Sequence, residues 1–522
     1  MMDKLKRPLR LLFLIVGLAV GASLVPSLSS CSAVTNLASN NDADLTQNTR
    51  SQLDRFEDVY NKYVTVSADP DGEVRTNGLN HFRDAFMRVR YDYVRDVPES
   101  VLVDTAIQGI EESDPKLVPG SVEPAVLIEA ALDKMLSSLD PHSSYLNSDE
   151  LKEMKVSNRG EFGGLGIEVT MEGDFVKVVS PIEDTPAYRA GLKSGDLISH
   201  LDGTAIKGKS LMDAVRLMRG KIGTNIRLTI NRADMAPFDV DIRRAIINVR
   251  SVRWHTEGDV GYIRVVSFSE KVAPGIDAAM EEINDELGSK LAGIVLDLRN
   301  NPGGLLHQSL TLSDAFLEQG IIVSVRGRRE GSERVFEAES GDMAHGLPLV
   351  VLINPGSASA SEIVAAALQD HGRAVIMGQQ SFGKGSVQTI TPLPQEGALR
   401  LTTQLYYSPT GHAIQARGIT PDIEIIPMPK PEPEGKPVAK VETKGKDVSA
   451  TEPKKMRRRE ADLPGALAAV GTEEAHPHPK LAEQSCQPVG EKKDRTLGCA
   501  LALIHAGSQA KFLVSVQQNP AM

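Results

Sequence analysis

The chain has 522 residues, 41% of them hydrophobic and 24% charged, which is enough apolar material to bury several cores. That composition excludes a disordered chain, and a formal net charge of -11 argues against the basic face of a nucleic-acid-binding protein, so no nucleic acid is expected as a partner. Two to four domains are expected, and no fixed-period repeat points to a solenoid or propeller.

Residues 1–31 read as an export signal. Lys4, Lys6, Arg7 and Arg10 form a basic start, and LLFLIVGLAVGASLV (11–25) is apolar over 15 residues, short of the roughly 20 that span a bilayer. LSSC follows and resembles the bacterial lipobox, in which cleavage leaves a lipid-modified N-terminal cysteine, here Cys31. An ordinary cleavable signal with a cysteine nearby is the alternative. The resemblance implies a protein exported to the bacterial periplasm that touches the membrane only through lipid on Cys31. Three cysteines are an odd count for an exported chain. With Cys31 lipidated, Cys486 and Cys499 remain, as a disulfide or as two free thiols.

Residues 32–50 are rich in Asn, Ser and Thr and read as a flexible tether. Residues 51–159 form an N-terminal helical region. Leu53, Phe56, Val59 or Tyr60, and Tyr63 fall at helical spacing, and Leu127, Ala130, Ala131, Met135 and Leu136 repeat the pattern. Between these stripes, DPDGEVRTNG (69–78) predicts a turn-rich interruption.

From 160 to 233, short β-rich runs alternate with Gly, Asp and Pro turns, and SLMDAVRLMRG offers one helix. GLGI (164–167), SPIEDTPAYRAGLKSGDLISHLDG and LMDAVRLMRG together resemble a PDZ domain. The resemblance implies a peptide added as a strand at an exposed sheet edge, with its terminal carboxylate on the backbone N–H groups around Leu165, Gly166 and Ile167. The expected partner is a protein C-terminus.

From 234 to 427, strands and helices alternate. DVGYIRVVSF, LAGIVLDLR, LPLVVLINP and RAVIMG read as strands and GIDAAMEEINDEL as a helix, an α/β core within a multidomain α+β and α/β chain. DLRNNPGG (297–304) and NPGSASAS (354–361) place glycine and small residues just after apolar strands, where catalytic loops sit. Ser357, Ser359 and Ser361 alternate there, and a serine needs a nearby base to become a nucleophile. GDSGG, GxSxG and HExxH motifs do not occur and the 11 histidines are scattered, so neither a metal nor another cofactor is expected. SFGKGSVQ lies downstream, and its Lys384, Ser386 and Gln388 share one face if the chain is extended. A neutral lysine is a competent base once burial has lowered its solution pKa of roughly 10.4. Spacing alone does not say which serine it would serve.

SLDPHSSYL, DLRNNPGGLL, NPGSASASEIVAAALQDHGRA, GQQSFGKGSVQ and YYSPTGHAIQARGITPD closely resemble the carboxyl-terminal processing peptidases, and the resemblance covers residues 50–425. That family consists of serine endopeptidases with a Ser–Lys–Gln site and an inserted PDZ domain. The resemblance implies Ser359 as nucleophile, Lys384 as general base and Gln388 as the residue that orients it. The oxyanion would meet the backbone N–H of Ala360 and that of Gly304, with Gly303 as the alternative to Gly304. Ser361 reads as a cap or first-turn residue, His142 as structural, Asp297 and Arg299 as residues that pair or hold the loop, and Arg400 as half of a partly buried ion pair, with positioning of the site as the alternative. Residues 428–522 read as a low-complexity linker and C-terminal tail, in which TLGCALALIHAG is a short helix that docks on the body or on a second subunit. The implied substrates are the C-terminal tails of exported proteins. An adaptor or a homo-oligomer is compatible with the sequence, and a non-catalytic module that only binds C-termini stays open as the alternative.

Overall fold

A computed structural model describes residues 45–65, 72–113, 117–182, 184–209, 211–233, 235–248, 250–428, 459–471, 478–490 and 493–518. The export signal with Cys31, most of the tether and the stretch 429–458 lie outside the described residues. The chain divides into two units, residues 1–51 and 52–522, and every element below except the start of the first helix belongs to the second.

The N-terminal region contains α1 (Gln47–Tyr63), α2 (Glu73–Asp92), α3 (Glu99–Glu112) and α4 (Pro124–Ser137). The expected apolar stripes meet: Phe56, Tyr60, Leu127, Ala131, Met135 and Leu136 are buried in one core with Phe82, Phe86, Leu102 and Ile110. The turn-rich interruption ends sooner than its sequence suggests, because α2 begins at Glu73 and runs through Thr76, Asn77 and Gly78. Packing overrides local propensity here. A Cβ on Gly78 would stand 2.6 Å from the Tyr60 hydroxyl oxygen, so only glycine lets the two segments approach this closely.

β1 (Ser144–Leu146) and α5 (Ser148–Asn158) lead into the inserted domain. Its elements are β2 (Glu161–Gly164), β3 (Ile167–Glu172), β4 (Phe175–Pro181), α6 (Pro186–Arg189), β5 (Leu197–Leu201), β6 (Thr204–Ala205), α7 (Leu211–Met218), β7 (Asn225–Asn231) and β8 (Phe238–Arg243). The strands run β3-β4-β5-β7-β8 with β6 on β5, so β3 is an edge. The boundary expected at residue 233 moves to 243, because β8 pairs with β7 from Ile230↔Phe238 to Asn225↔Arg243. β2 pairs with β9 (Ala245–Asn248) and closes the base of the domain.

The core follows: β10 (Val252–Glu257), β11 (Val260–Val265), α8 (Val272–Leu287), β12 (Gly293–Asp297), α9 (Leu306–Asp314), β13 (Gly320–Gly327), β14 (Arg334–Ala338), β15 (Leu349–Ile353), α10 (Ala360–Asp370), β16 (Val375–Gly378), β17 (Ser386–Pro392), β18 (Ala398–Tyr407) and β19 (Ile423–Ile426). Beyond it come β20 (Lys480–Ala482), α11 (Arg495–Ala506) and α12 (Gln509–Gln518). One sheet has the order β10-β11-β12-β15-β16-β19-β20, parallel from β11 onward. Parallel strands this apolar need cover on both faces. Ile294, Leu296, Val351 and Ile353 meet α8, α9 and α10 on one side, while Val295, Val350, Leu352 and Met377 meet α11 and α12 on the other. The C-terminal tail is therefore half of the core's covering rather than a loose appendage, and the helix expected to dock does so on the body. Cys486 and Cys499 are disulfide-bonded within that second face. A further sheet, β1-β18-β13-β14 with β17 on β18, joins the core to the helical region through Leu399 and Leu401.

Helices α3 and α4 approach each other at Gly109, where an added Cβ would run into the carbonyl oxygen of Ala130. Gly109→Val is expected to cost about 1–3 kcal/mol of stability by forcing the helices apart, which denaturant unfolding of the full chain measures. An unchanged midpoint would mean that the contact is not tight.

Candidate active site

Strands β12, β15 and β16 are adjacent and parallel, so the loops that follow them, 298–305, 354–359 and 379–385, emerge on the same edge of the sheet. Hydrogen bonds lock the first two together. Ser357 Oγ donates to the Leu298 carbonyl (2.8 Å) and Ser361 Oγ to the Asn301 carbonyl (2.9 Å), which also accepts from the Ala358 N–H (3.0 Å). Both flanking serines are fully buried, and their hydroxyls are committed to holding loops. Ser361 is a first-turn residue of α10 and not its cap, since Ser359 occupies the N-cap position. Ser359 has φ 55° and ψ −113°, a conformation that a non-glycine residue holds only when its surroundings impose it. Of the three serines it alone holds neither neighbouring loop.

Ser359 is tied to the lysine loop through Glu362, which is fully buried. Glu362 Oε2 accepts from the backbone N–H of Ser359 (2.7 Å) and from that of Lys384 (2.9 Å). Oε1 accepts from Ser381 Oγ (2.5 Å) and the Gly383 N–H (2.6 Å). Burial pushes this carboxyl up to about 7, against the pull of its four donors. Ser359 and the lysine loop thus share one oxygen atom as their anchor. A second tie runs from the Phe382 N–H to the Ser357 carbonyl (3.0 Å).

Lys384 lies in the loop ahead of β17, and a bulge between Val387 and Gln388 interrupts the alternation of side chains. The shared face expected from Lys384 to Gln388 is therefore not a regular strand face. The Gln388 amide donates to Ser386 Oγ (2.9 Å) and Thr402 Oγ1 (3.2 Å), and its Oε1 accepts from no described residue.

Lys384 as a residue is half-buried, and burial of its amine lowers the pKa from the ordinary value. Glu460 opposes that shift, Arg400 adds to it, and Glu362 and Asp140 oppose it. Yet Lys384 Nζ forms no ion pair or hydrogen bond with any described residue. The three carboxylates are already satisfied. Asp140 accepts from the N–H groups of His142 (2.8 Å) and Ser143 (3.0 Å), from Ser143 Oγ (2.6 Å) and from Thr402 Oγ1 (3.1 Å). Glu460 accepts from His142 Nε2 (2.9 Å to each oxygen) and Gln415 Nε2 (3.1 Å). A lysine whose neighbouring anions are all engaged elsewhere is not held in its charged form by an ion pair.

Other expectations resolve in the same geometry. The ion pair expected for Arg400 is not formed among the described residues, and its Nε is buried without a partner. The acids around Lys384 are occupied by other donors, which leaves Arg400 none. Asp297 and Arg299 do pair (2.7 Å), and Arg299 also reaches Asp494 at the start of α11 (2.7 Å). His142 is structural, bridging a turn to Glu460. The sequence reading missed Glu460 because it ends the charged run KKMRRRE; the apolar stretch LPGALAAV (463–470) just beyond was the available sign that this segment packs.

Near Ser359, the Gly303 N–H donates to Asn301 Oδ1 (2.9 Å), whereas the N–H groups of Gly304 and Ala360 have no partner among the described residues. A Cβ on Gly303 would stand 2.8 Å from Ser359 Cβ, so this position must be glycine for closeness alone. In the inserted domain, Leu165 and Gly166 likewise have N–H groups without described partners, just ahead of the edge strand β3 that begins at Ile167. Gly166 has φ 80°, and an added Cβ would collide with Thr185.

The model of peptidase family S41 matches residues 259–425, and that of the PDZ domain matches 163–242. The chain is 51% identical over 356 residues to the carboxy-terminal-processing protease of Bartonella bacilliformis, covering 68% of this chain and 76% of that protein. It is 31% identical over 421 residues to the carboxy-terminal processing protease CtpA of Bacillus subtilis, covering 80% and 78%. Among solved structures it is similar to the photosystem II D1 C-terminal processing protease, with 28% identity and a TM-score of 0.44 over 66% of this chain and 92% of that one.

The serine geometry makes a prediction that needs no substrate. Ser357→Ala and Ser361→Ala each remove a buried loop-to-loop bond and are expected to lose about 1–2 kcal/mol of stability, while Ser359→Ala stays within about 0.5 kcal/mol of the parent. Denaturant unfolding of the three variants checks this, and equal losses at all three would contradict the division of roles.

Proposed function

The chain belongs to the carboxy-terminal processing proteases of peptidase family S41, and from that premise we propose that Ser359 is the nucleophile and Lys384 the general base of this serine peptidase. The observation that carries the reading is the shared Glu362 oxygen, which fixes the backbone of both residues to one atom. Neutral Lys384 takes the Ser359 Oγ proton as Oγ attacks the scissile carbonyl carbon. The oxyanion receives the N–H groups of Ala360 and Gly304, both unpartnered among the described residues. Lys384 then returns the proton to the leaving amine, and water hydrolyses the acyl-enzyme by the same base. Gln388 orients the amine through Oε1, which accepts from no other described residue.

The PDZ domain binds protein C-termini as an added strand on β3, with the carboxylate on the N–H groups around Leu165, Gly166 and Ile167. We further propose export to the periplasm with a lipid anchor on Cys31. The Cys486–Cys499 disulfide supports an oxidising compartment, and mass spectrometry of the mature N-terminus reads the anchor directly.

Two outcomes test the mechanism. Ser359→Ala and Lys384→Arg are both expected to be inactive on unstructured protein substrates, the second because guanidinium keeps its proton although the charge is the same. Since burial lowers the Lys384 pKa, and since the amine must be neutral to act, activity rises with pH. An active Lys384→Arg enzyme would refute the assignment. For delivery, Gly166→Val is expected to slow cleavage of proteins that carry a recognised C-terminal tail by about ten-fold or more. Equal rates for tailed and tail-less substrates in parent and variant would count against it.

A further inference from the structure

Residues 459–471 return to the core as a strap. It opens with a single turn, Glu460–Asp462, and Glu460 is fully buried beside the lysine loop. The Glu460 N–H donates to the Phe382 carbonyl (3.1 Å), and its carboxylate takes His142 and Gln415 as described above. Gln415 in turn accepts the Gly385 N–H on Oε1 (3.0 Å) and donates to the Leu467 carbonyl further along the strap (3.2 Å). Arg417 donates to the Gly471 carbonyl at the strap's far end. The loop carrying Lys384 is therefore gripped at residue 382 from the strap, at 385 by Gln415, which the strap also holds, and at 383 and 384 from Glu362.

Burying a carboxylate costs several kcal/mol unless it is fully bonded, and this one is brought into a space that already holds Asp140 and Glu362. A segment whose only task was to cover the loop would be better served by a neutral side chain. We propose that Glu460 is a positioning residue for the general base: the strap braces the lysine loop at Phe382 directly and at Gly385 through Gln415, and keeps a negative charge beside Lys384 that His142 and Gln415 prevent from pairing with it. The inference rests on the reading of Lys384 as the base.

The groups facing Lys384 are Glu460 from the strap, Arg400 from β18, Glu362 from α10 and Asp140 from the segment before β1. Without the Glu460 charge, Arg400 acts on the amine with less opposition, and the neutral form persists to lower pH. Glu460→Gln in the full chain, assayed on fluorescein-labelled casein across pH, is expected to lower the plateau rate about ten-fold. It should also raise the ratio of the rate at the foot of the acid limb to the plateau about three-fold. Glu460→Asp should leave the limb where the parent has it. A plateau and limb unchanged in Glu460→Gln would overturn the proposal. So would a plateau that falls in step with thermal stability while the limb stays put, because that is what a merely structural residue would do. Lys384→Ala run alongside separates the two readings. An inactive Lys384→Ala with an unaffected Glu460→Gln sinks the role of Glu460 alone, whereas an active Lys384→Ala sinks the assignment of the base beneath it.

Discussion

The carboxylate of Glu362 is the constraint on which the site depends. It is buried without a cationic partner among the described residues, and four donors converge on its two oxygens. Three of those donors are backbone N–H groups, which have no freedom to rotate away or to accept instead. The bonds therefore fix main chain rather than side chains. The peptide planes of Ser359, Gly383 and Lys384 are set relative to one another before any substrate arrives, which is the preorganisation that oxyanion and base chemistry both require. Ser359 holds a backbone conformation that a free chain would leave, and the bonds on either side of it sustain that strain.

The electrostatics around Lys384 follow from the same saturation. Three buried acids within reach of one amine would ordinarily turn it into the cationic member of a salt bridge. Here each acid is filled by other donors: Glu362 by the loops it joins, Asp140 by Ser143, Thr402 and the His142 N–H, and Glu460 by His142 and Gln415. Arg400 adds a positive charge and pairs with no acid among the described residues. Burial then decides the direction, and the amine is biased towards the neutral form that a base needs.

The C-terminal portion serves the fold and the site at once. β20 extends the central sheet, and α11 and α12 cover the sheet face that α8, α9 and α10 leave open. Asp494, which begins α11, pairs with Arg299 at the base of the NPGG loop, and the strap reaches the lysine loop. Two of the three loops that meet at Ser359 are thus braced by chain that follows residues 429–458 in sequence.

Much of this was legible in the residues. Apolar periodicity located the helical region and the buried strands, because burial imposes a period of 3.6 or 2, or none for a strand covered on both faces. The motif segments pointed to Ser359, Lys384 and Gln388. The continuous runs LAGIVLDL and LPLVVLI read as strands of an α/β core, but the segments that cover them on the second face were not legible there. Tertiary structure alone decided the rest. Gly78 sits within a helix because Tyr60 lies against it. Ser357 and Ser361 are loop anchors because Leu298 and Asn301 present carbonyls to them. Gly304 rather than Gly303 keeps an N–H without a partner among the described residues because Asn301 takes the other. Glu460 enters the site from a run of charges that reads as solvated linker. Each of these turns on a partner distant in the chain, and local composition carries no record of where the fold will place it.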